Sequence, residues 1–423
     1  MKHLILGAGP AGVIAAETLR RLAPDDEIVI VGDEPEAPYS RMAIPYLLIG
    51  NIDEPGTHLR HGEGHYEALR IDLRRGRAAA VDSAARKVRL DDGSVLDFDR
   101  LLIATGSQPI QPPIPGIDGP GIHACWTLDD ARAIIKLAKP GARVLQMGAG
   151  FIGCIILEAL AARDVELTVV EMGDRMVPRM MGPTAGGMIK NWVEAKGVLV
   201  FTGTKVEAID HAPSGVKTVR LSGGRSVEAD LVISATGVRP NIGFLEGSGI
   251  SCLQGVLTDQ HLQTNVDGIY AAGDCAEAFD KISGKTIVSA IQPNAAEQAR
   301  VAALNMLGRP AELPGVTQIN VLDTLGLIST SFGNWEGVAG GEHVELTDRE
   351  AARHLSLQFD GDRLVGCNSI GWTDHVGAMR GLVEGQVRLG EWKERLKRDP
   401  TQLMPAYLAC AQAQAARAHL KAA

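Results

Sequence analysis

Two glycine-rich segments carry the chemistry this sequence encodes most clearly. Gly7-Ala8-Gly9-Pro10-Ala11-Gly12 and Gly148-Ala149-Gly150-Phe151-Ile152-Gly153 share Gly-x-Gly-x-x-Gly spacing. Between a strand and a helix, that spacing cradles a pyrophosphate. The first glycine permits the tight turn, the second lets backbone approach the phosphates, and the third lets helix and strand pack closely. The helix N-terminus adds N–H donors and a partial positive charge. An acid about 20 residues further on accepts hydrogen bonds from a ribose diol. Glu34 lies 22 residues past Gly12, and Glu171 lies 18 past Gly153. One such motif is weak; two complete copies in one chain predict two dinucleotide sites. Met172 and Gly173 follow Glu171, with no adjacent Lys or Arg, so the second site is expected to prefer NADH to NADPH. Arg175 could swing in against that preference, but it reads as a solvated arginine.

These residues need elements to position them. His3 to Leu6 reads as a strand, Val13 to Leu22 as a helix and Glu27 to Val31 as a second strand. The figure recurs with a strand at Arg143 to Met147, a helix at Cys154 to Ala162 and a strand at Glu166 to Val170. A proline-rich stretch, Pro109 to Gly116, separates the two units. Gly268 to Asp274 reads as a further strand entering a Gly-Asp turn, and beyond Pro310 and Pro314 the composition changes enough to predict a separate domain. The helical spacing of Leu403, Met404, Tyr407, Leu408 and Ala411 fits a helix folded on its own domain or docked on a partner.

Composition excludes several classes. The 423 residues carry a net charge of −9 and 4% aromatics, which argues against a nucleic-acid platform or an anionic membrane held by bulk electrostatics. Forty-nine glycines fit many tight turns against bound ligand. Cys125, Cys154, Cys252, Cys275, Cys367 and Cys410 are scattered singly with no CxxC, which fits a reducing compartment such as the cytoplasm and gives the chain no iron–sulfur centre of its own. The most apolar stretch, Val144 to Leu157, contains Gln146 and three glycines, so no membrane span is expected. The N-terminal apolar run is broken by Gly7, Gly9, Pro10 and Gly12 and reads as mature protein. His261, His354 and His375 lack metal-ligand spacing, so no metal site is expected. Arg70, Arg74, Arg75 and Arg77 read as a solvated edge, with docking of an acidic redox partner as the alternative.

In motif order, residues 1–310 resemble the flavoproteins of the pyridine nucleotide-disulfide oxidoreductase type, which carry two dinucleotide-binding domains. The resemblance implies an α/β fold. Its two Rossmann-like domains bind FAD and NAD, the NAD domain is inserted in the FAD domain, and a C-terminal α+β domain follows. The implied boundaries are 1–113 with 249–311 for FAD, 114–248 for NAD, and 312–423 for a C-terminal interface or dimerisation domain. Carried over onto matching positions, Gly7, Gly9, Pro10, Ala11 and Gly12 would meet FAD at the first turn. Glu34 and Arg41, in Pro38-Tyr39-Ser40-Arg41, resemble the adenosine-side segment of the ferredoxin, rubredoxin and nitrite reductase members, with a backbone contact from Ala78 to adenine. Thr105 and Gly106 belong to a second FAD strand, Asp274 would hold the ribityl chain, and Ala295 lies in a segment capping the helix beneath the isoalloxazine. Gly148, Gly150, Phe151, Ile152, Gly153, Glu171 and Gly237 would serve NAD.

The departures from the family pattern are chemical. Residues 33–60 contain no cysteine, so thiol–disulfide exchange has no sulfur there. Tyr46 stands where related reductases place a lysine, and Ile155 where they place its glutamate partner. Losing both members avoids a stranded buried charge and leaves no acid–base group at the flavin and no catalytic side chain. Cys154 and Cys275 read as packing residues. Hydride would pass between NAD(H) and FAD, and single electrons between FAD and a separate iron–sulfur or rubredoxin-type carrier. The resemblance further implies the NAD-reducing subunit of a 2-oxoacid:acceptor oxidoreductase complex, fed from a thiamine diphosphate site through iron–sulfur clusters. The alternatives are a free-standing NADH-dependent rubredoxin or ferredoxin reductase, an NADH oxidase, and a flavoprotein resembling apoptosis-inducing factor.

Overall fold

The computed structural model describes residues 1–316 and 318–422, and the chain divides into two compact units: Met1–Ile110 with Val238–Thr317, and Gln111–Gly237 with Gln318–Ala423. Each unit is built on a five-stranded parallel sheet. In the first, the strand order is Ile269–Ala271, Arg100–Ile103, Lys2–Leu6, Glu27–Gly32, Ile71–Arg75. In the second it is Leu199–Phe201, Glu166–Val170, Arg143–Met147, Leu231–Ser234, Ile122–His123. The strand that leads into the glycine-rich turn is central in both. Central parallel strands are covered on both faces and read as apolar runs; Leu4, Ile5 and Leu6 are fully buried, as are Val144 and Leu145.

The helices after the turns span Pro10–Leu22 and Phe151–Ala161, three residues earlier than apolar periodicity places them. Pro10 takes the first helical position, where its fixed φ suits the helix and its missing N–H is not needed. Gly9 (φ −81°, ψ −173°) and Gly150 (φ −73°, ψ −171°) cap the two helices in nearly identical extended conformations. Gly12 and Gly153 therefore belong to the first helical turns, next to N–H groups that have no intrahelical partner.

The last part of the second unit is an antiparallel sheet in the order Ile319–Thr324, Leu327–Gly333, Arg363–Ile370, Arg353–Asp360, Glu342–Asp348, followed by helices Val376–Glu384, Trp392–Arg398 and Leu403–Ala422. The final helix folds back on its own domain. Leu403, Ala406 and Cys410 are buried, Tyr407 lies against Gly381, and Leu408 stays exposed; the Ala411 side chain lies outside the described residues. Among the described residues, no helix is long and apolar enough to cross a membrane.

Candidate dinucleotide sites

The two turns share the same backbone pattern. Gly7 donates its N–H to the Val31 carbonyl at 2.7 Å, and Gly148 donates to Val170 at 2.8 Å. Both have positive φ, +117° and +94°. A Cβ on Gly7 would collide with the Ala104 carbonyl, and one on Gly148 with the Ala235 carbonyl. These carbonyls belong to Ala104-Thr105-Gly106 and Ala235-Thr236-Gly237, each of which follows the neighbouring strand of its sheet. A Cβ on Gly12 or Gly153 would strike the carbonyl oxygen of the first glycine of its own turn. Gly9 and Gly150 differ: a Cβ there meets nothing within 4 Å, and their φ suits any residue. Packing requires the first and third glycines. Only an external group approaching the backbone requires the second, so both turns fit a bound pyrophosphate.

The first turn opens on a cavity of about 390 Å³, within the range of small-molecule sites. Gly7, Asp33, Arg77, Ala78, Thr105 and Gln108 are among its lining residues. Glu34 stands beside this lining, not in it. Its carboxylate accepts from Tyr39 Oη and Arg41 Nη2, both at 2.5 Å. The hydrogen-bond register explains this. Val31 and Val170 are equivalent acceptors, so Gly32 occupies the place of Glu171, and Asp33 after it lines the cavity. Sequence spacing pointed to Glu34 and did not single out Asp33, which lines the cavity one residue earlier. Arg41, stacked on Tyr39 with its carbon 5.5 Å from the ring centroid, is tied to this acid–hydroxyl cluster.

Asp274 lies partly buried at the end of the Ile269–Ala271 strand and accepts from Ser107 Oγ at 3.0 Å. Burial raises its carboxyl above the ordinary carboxylate range, against the lowering effects of the Ser107 hydrogen bond and the charge of Arg41. A Cβ on Gly273, before it, would lie 3.3 Å from Ala11 and 3.6 Å from Ala295, and the Gly273 N–H donates to Gln298 Oε1 at 2.7 Å. The first turn, the Gly-Asp turn and the start of the Gln292–Met306 helix therefore converge. Gly106 has positive φ next to Ser107.

In the second unit, Glu171 accepts the Ala149 N–H and the Gly173 N–H, both at 2.7 Å. A carboxylate has about four acceptor sites, so capacity for a ribose diol remains. Buried Gln146 donates to the Gly148 and Gly153 carbonyls, each at 2.9 Å, and locks the turn. Phe151 and Ile152 open the helix, and Gly237 has φ +115°. Arg175 is not the solvated residue expected. It donates to the Met181 and Pro178 carbonyls and pairs with Asp174, because the chain reverses around its side chain.

No cysteine is paired. Cys154 and Cys275 are fully buried; burial pushes the Cys154 thiol up to about 12 and raises that of Cys275. Both thiols stay protonated at neutral pH and are poor nucleophiles. Arg70 and Arg74 are engaged with the Pro24 carbonyl and Asp72, Arg75 is exposed on the edge strand, and Arg77 lines the cavity. Among the described residues no cluster of three His, Cys, Asp or Glu side chains suits a metal.

Residues 1–303 match the family model described as pyridine nucleotide-disulphide oxidoreductase. The chain belongs to this family. It is 30% identical over 404 residues to the NADH-dependent phenylglyoxylate dehydrogenase subunit epsilon of Aromatoleum evansii, covering 94% of this chain and 95% of the relative. It is 31% identical over 358 residues to the biphenyl dioxygenase system ferredoxin–NAD(+) reductase component of Paraburkholderia xenovorans strain LB400, covering 84% and 83%. The crystal structure of the covalent putidaredoxin reductase–putidaredoxin complex superposes with a TM-score of 0.89 at 23% identity, covering 97% of this chain and 99% of that one, which shows the fold. The fold is thus α/β with two Rossmann-like domains and a C-terminal domain. The chain is a flavin-dependent NAD(H) oxidoreductase that uses FAD and NAD(H).

Proposed function

We propose that this chain moves electrons between NAD(H) and an iron–sulfur carrier through FAD, as the NAD-reducing subunit of a 2-oxoacid oxidoreductase complex of the phenylglyoxylate type. The observation that carries this reading is similarity to the phenylglyoxylate dehydrogenase subunit along 94% of the chain and 95% of the relative. The absence of cysteine from residues 33–60 supports a route that does not use thiol exchange.

The reading assigns FAD to residues 1–113 and 249–311, NAD(H) to 114–248, and partner contact to 312–423. Bound in these sites, the two cofactors supply the hydride and one-electron chemistry; the protein binds and orients them. Gly9 and Gly150 leave room for the pyrophosphates, and the free N–H groups of the following helices attract them. Asp33 takes the ribose-facing place that sequence spacing gave Glu34, while Glu34 holds Arg41. Ala78 presents backbone to the adenine side, Thr105 lines the same cavity, and Asp274 receives the ribityl hydroxyls. Glu171 accepts from the NAD(H) ribose and disfavours a 2′-phosphate, and Arg175, engaged by its own loop, does not offset that charge.

Gentle purification followed by mass spectrometry tests the complex: iron–sulfur polypeptides should travel with the chain. Similarity to the ferredoxin–NAD(+) reductase component favours a second reading, a free-standing ferredoxin reductase. Rapid NADH-dependent ferredoxin reduction by a chain that purifies alone would select it.

A further inference from the structure

Residues 171–182 are built as a clamp. Both backbone groups of Ala149, inside the second glycine-rich turn, are held by it: the N–H by Glu171 Oε2 at 2.7 Å and the C=O by the Val177 N–H at 2.8 Å. Val177 is buried with φ +50°, a conformation that crowds a β-branched side chain. Such residues persist only where their surroundings over-determine them, and they gather at ligand clamps. Arg175, donating to the Pro178 and Met181 carbonyls, supplies part of that constraint. The rest comes from the C-terminal sheet. Asn368, on the Arg363–Ile370 strand and 2% exposed, donates Nδ2–H to the Met180 carbonyl at 2.8 Å and accepts the Gly182 N–H at 3.0 Å. One amide thus pins the residues on either side of Met181, where the segment enters the Pro183–Ala195 helix. A continuous run of hydrogen bonds links Ala149, residues 171–182 and a side chain nearly 200 residues later in sequence.

We infer that Asn368 is a positioning residue for NAD(H): it holds residues 171–182 so that Glu171 and the turn at 148–150 keep the spacing the dinucleotide needs. This rests on the assignment of the second turn to NAD(H). By linkage, bound NAD(H) must tighten the same segment against the C-terminal sheet by the same factor.

The test uses the full-length, FAD-loaded protein. Asn368→Asp keeps size and the acceptor for Gly182 but removes the donor to Met180. NADH affinity, read by calorimetry, should fall about five- to tenfold, with kcat at saturating NADH within about twofold of wild type and FAD content unchanged. Trypsin supplies a second readout, because Arg179 is exposed within the segment. NADH should slow cleavage there in the wild type and much less in the variant. Trp192→Phe removes another bond to the C-terminal sheet, Nε1–H to the Leu325 carbonyl, without touching residues 171–182, and should leave NADH affinity within about twofold. Affinity unchanged in Asn368→Asp, or weakened equally by Trp192→Phe, overturns the proposal. If Asn368→Asp does not fold, Asn368→Ser carries the same comparison. Glu171→Ala separates the two levels. If it weakens NADH binding and Asn368→Asp does not, only the role of Asn368 falls; if neither does, the assignment of the second turn to NAD(H) falls as well.

Discussion

Gly9→Ala and Gly12→Ala look equivalent in sequence, yet the structure gives them opposite outcomes. A methyl on Gly9 meets no atom within 4 Å, and φ −81° is open to alanine. The ligand-free fold should therefore be unharmed, or stabilised by about 0.5 kcal/mol through a less flexible unfolded chain. The same methyl stands where the pyrophosphate approaches. Losing two charge-assisted N–H contacts at about 1.5 kcal/mol each costs about 3 kcal/mol, roughly a hundredfold in FAD affinity. A methyl on Gly12 collides with the Gly7 carbonyl, where the helix packs on the turn. Overpacking of this kind costs about 1–3 kcal/mol in the fold itself. The assay pairs thermal melting of the apoprotein with titration of free FAD by fluorescence quenching. Gly9→Ala should melt like wild type and bind FAD poorly; Gly12→Ala should melt early. A Gly9→Ala protein that keeps FAD affinity within about threefold, or that melts below Gly12→Ala, would refute the argument that ligand and packing divide these glycines.

Three further outcomes are expected. Glu171→Ala should raise KM for NADH about ten- to a hundredfold through lost charged hydrogen bonds, with FAD content unchanged; an unaltered KM would remove Glu171 from the ribose. His3 and His354 are buried, and burial lowers both from the ordinary 6.5 even though nearby acids oppose it. Stability is therefore complete above pH 6.5 and lost as pH falls through that value towards the lowered folded ones. The slope is at most about 1.4 kcal/mol per pH unit for each histidine; a flat melting curve between pH 7.5 and about 5 would contradict the assignment. Asp274 is shifted the other way, so its contribution is present below its ordinary 3.8 and lost as pH rises through the raised folded value. Asp274→Asn should make the apoprotein melt higher at pH 7 and retain less flavin, and identical apoprotein melting curves would sink this.

Much of the fold was legible because two repeated βαβ figures state their own periodicity. The core strands at Arg143 to Met147 and Glu166 to Val170 match the structure to the residue, whereas the helix starts lie three residues earlier because glycine and proline in the first turn hide apolar spacing. The glycine roles were legible in outline; which glycine faces ligand and which faces carbonyl oxygen needed three dimensions. That Asp33 lines the cavity left no mark in the spacing, because Gly32 occupies the register position of Glu171. Arg175 looked solvated because the carbonyls it holds lie in a reversal that side-chain types do not announce. Asn368 left no sequence signal at all: its partners are backbone atoms 186 and 188 residues away.

The central claim is that one chain binds FAD and takes two electrons from NADH with no thiol in the circuit. Anaerobic titration of the purified protein with NADH, followed at the flavin absorbance, tests it most directly. A yellow protein bleached by about one NADH per FAD is expected. Protein that stays colourless after reconstitution with FAD, or that takes up about two NADH before bleaching is complete, would contradict it.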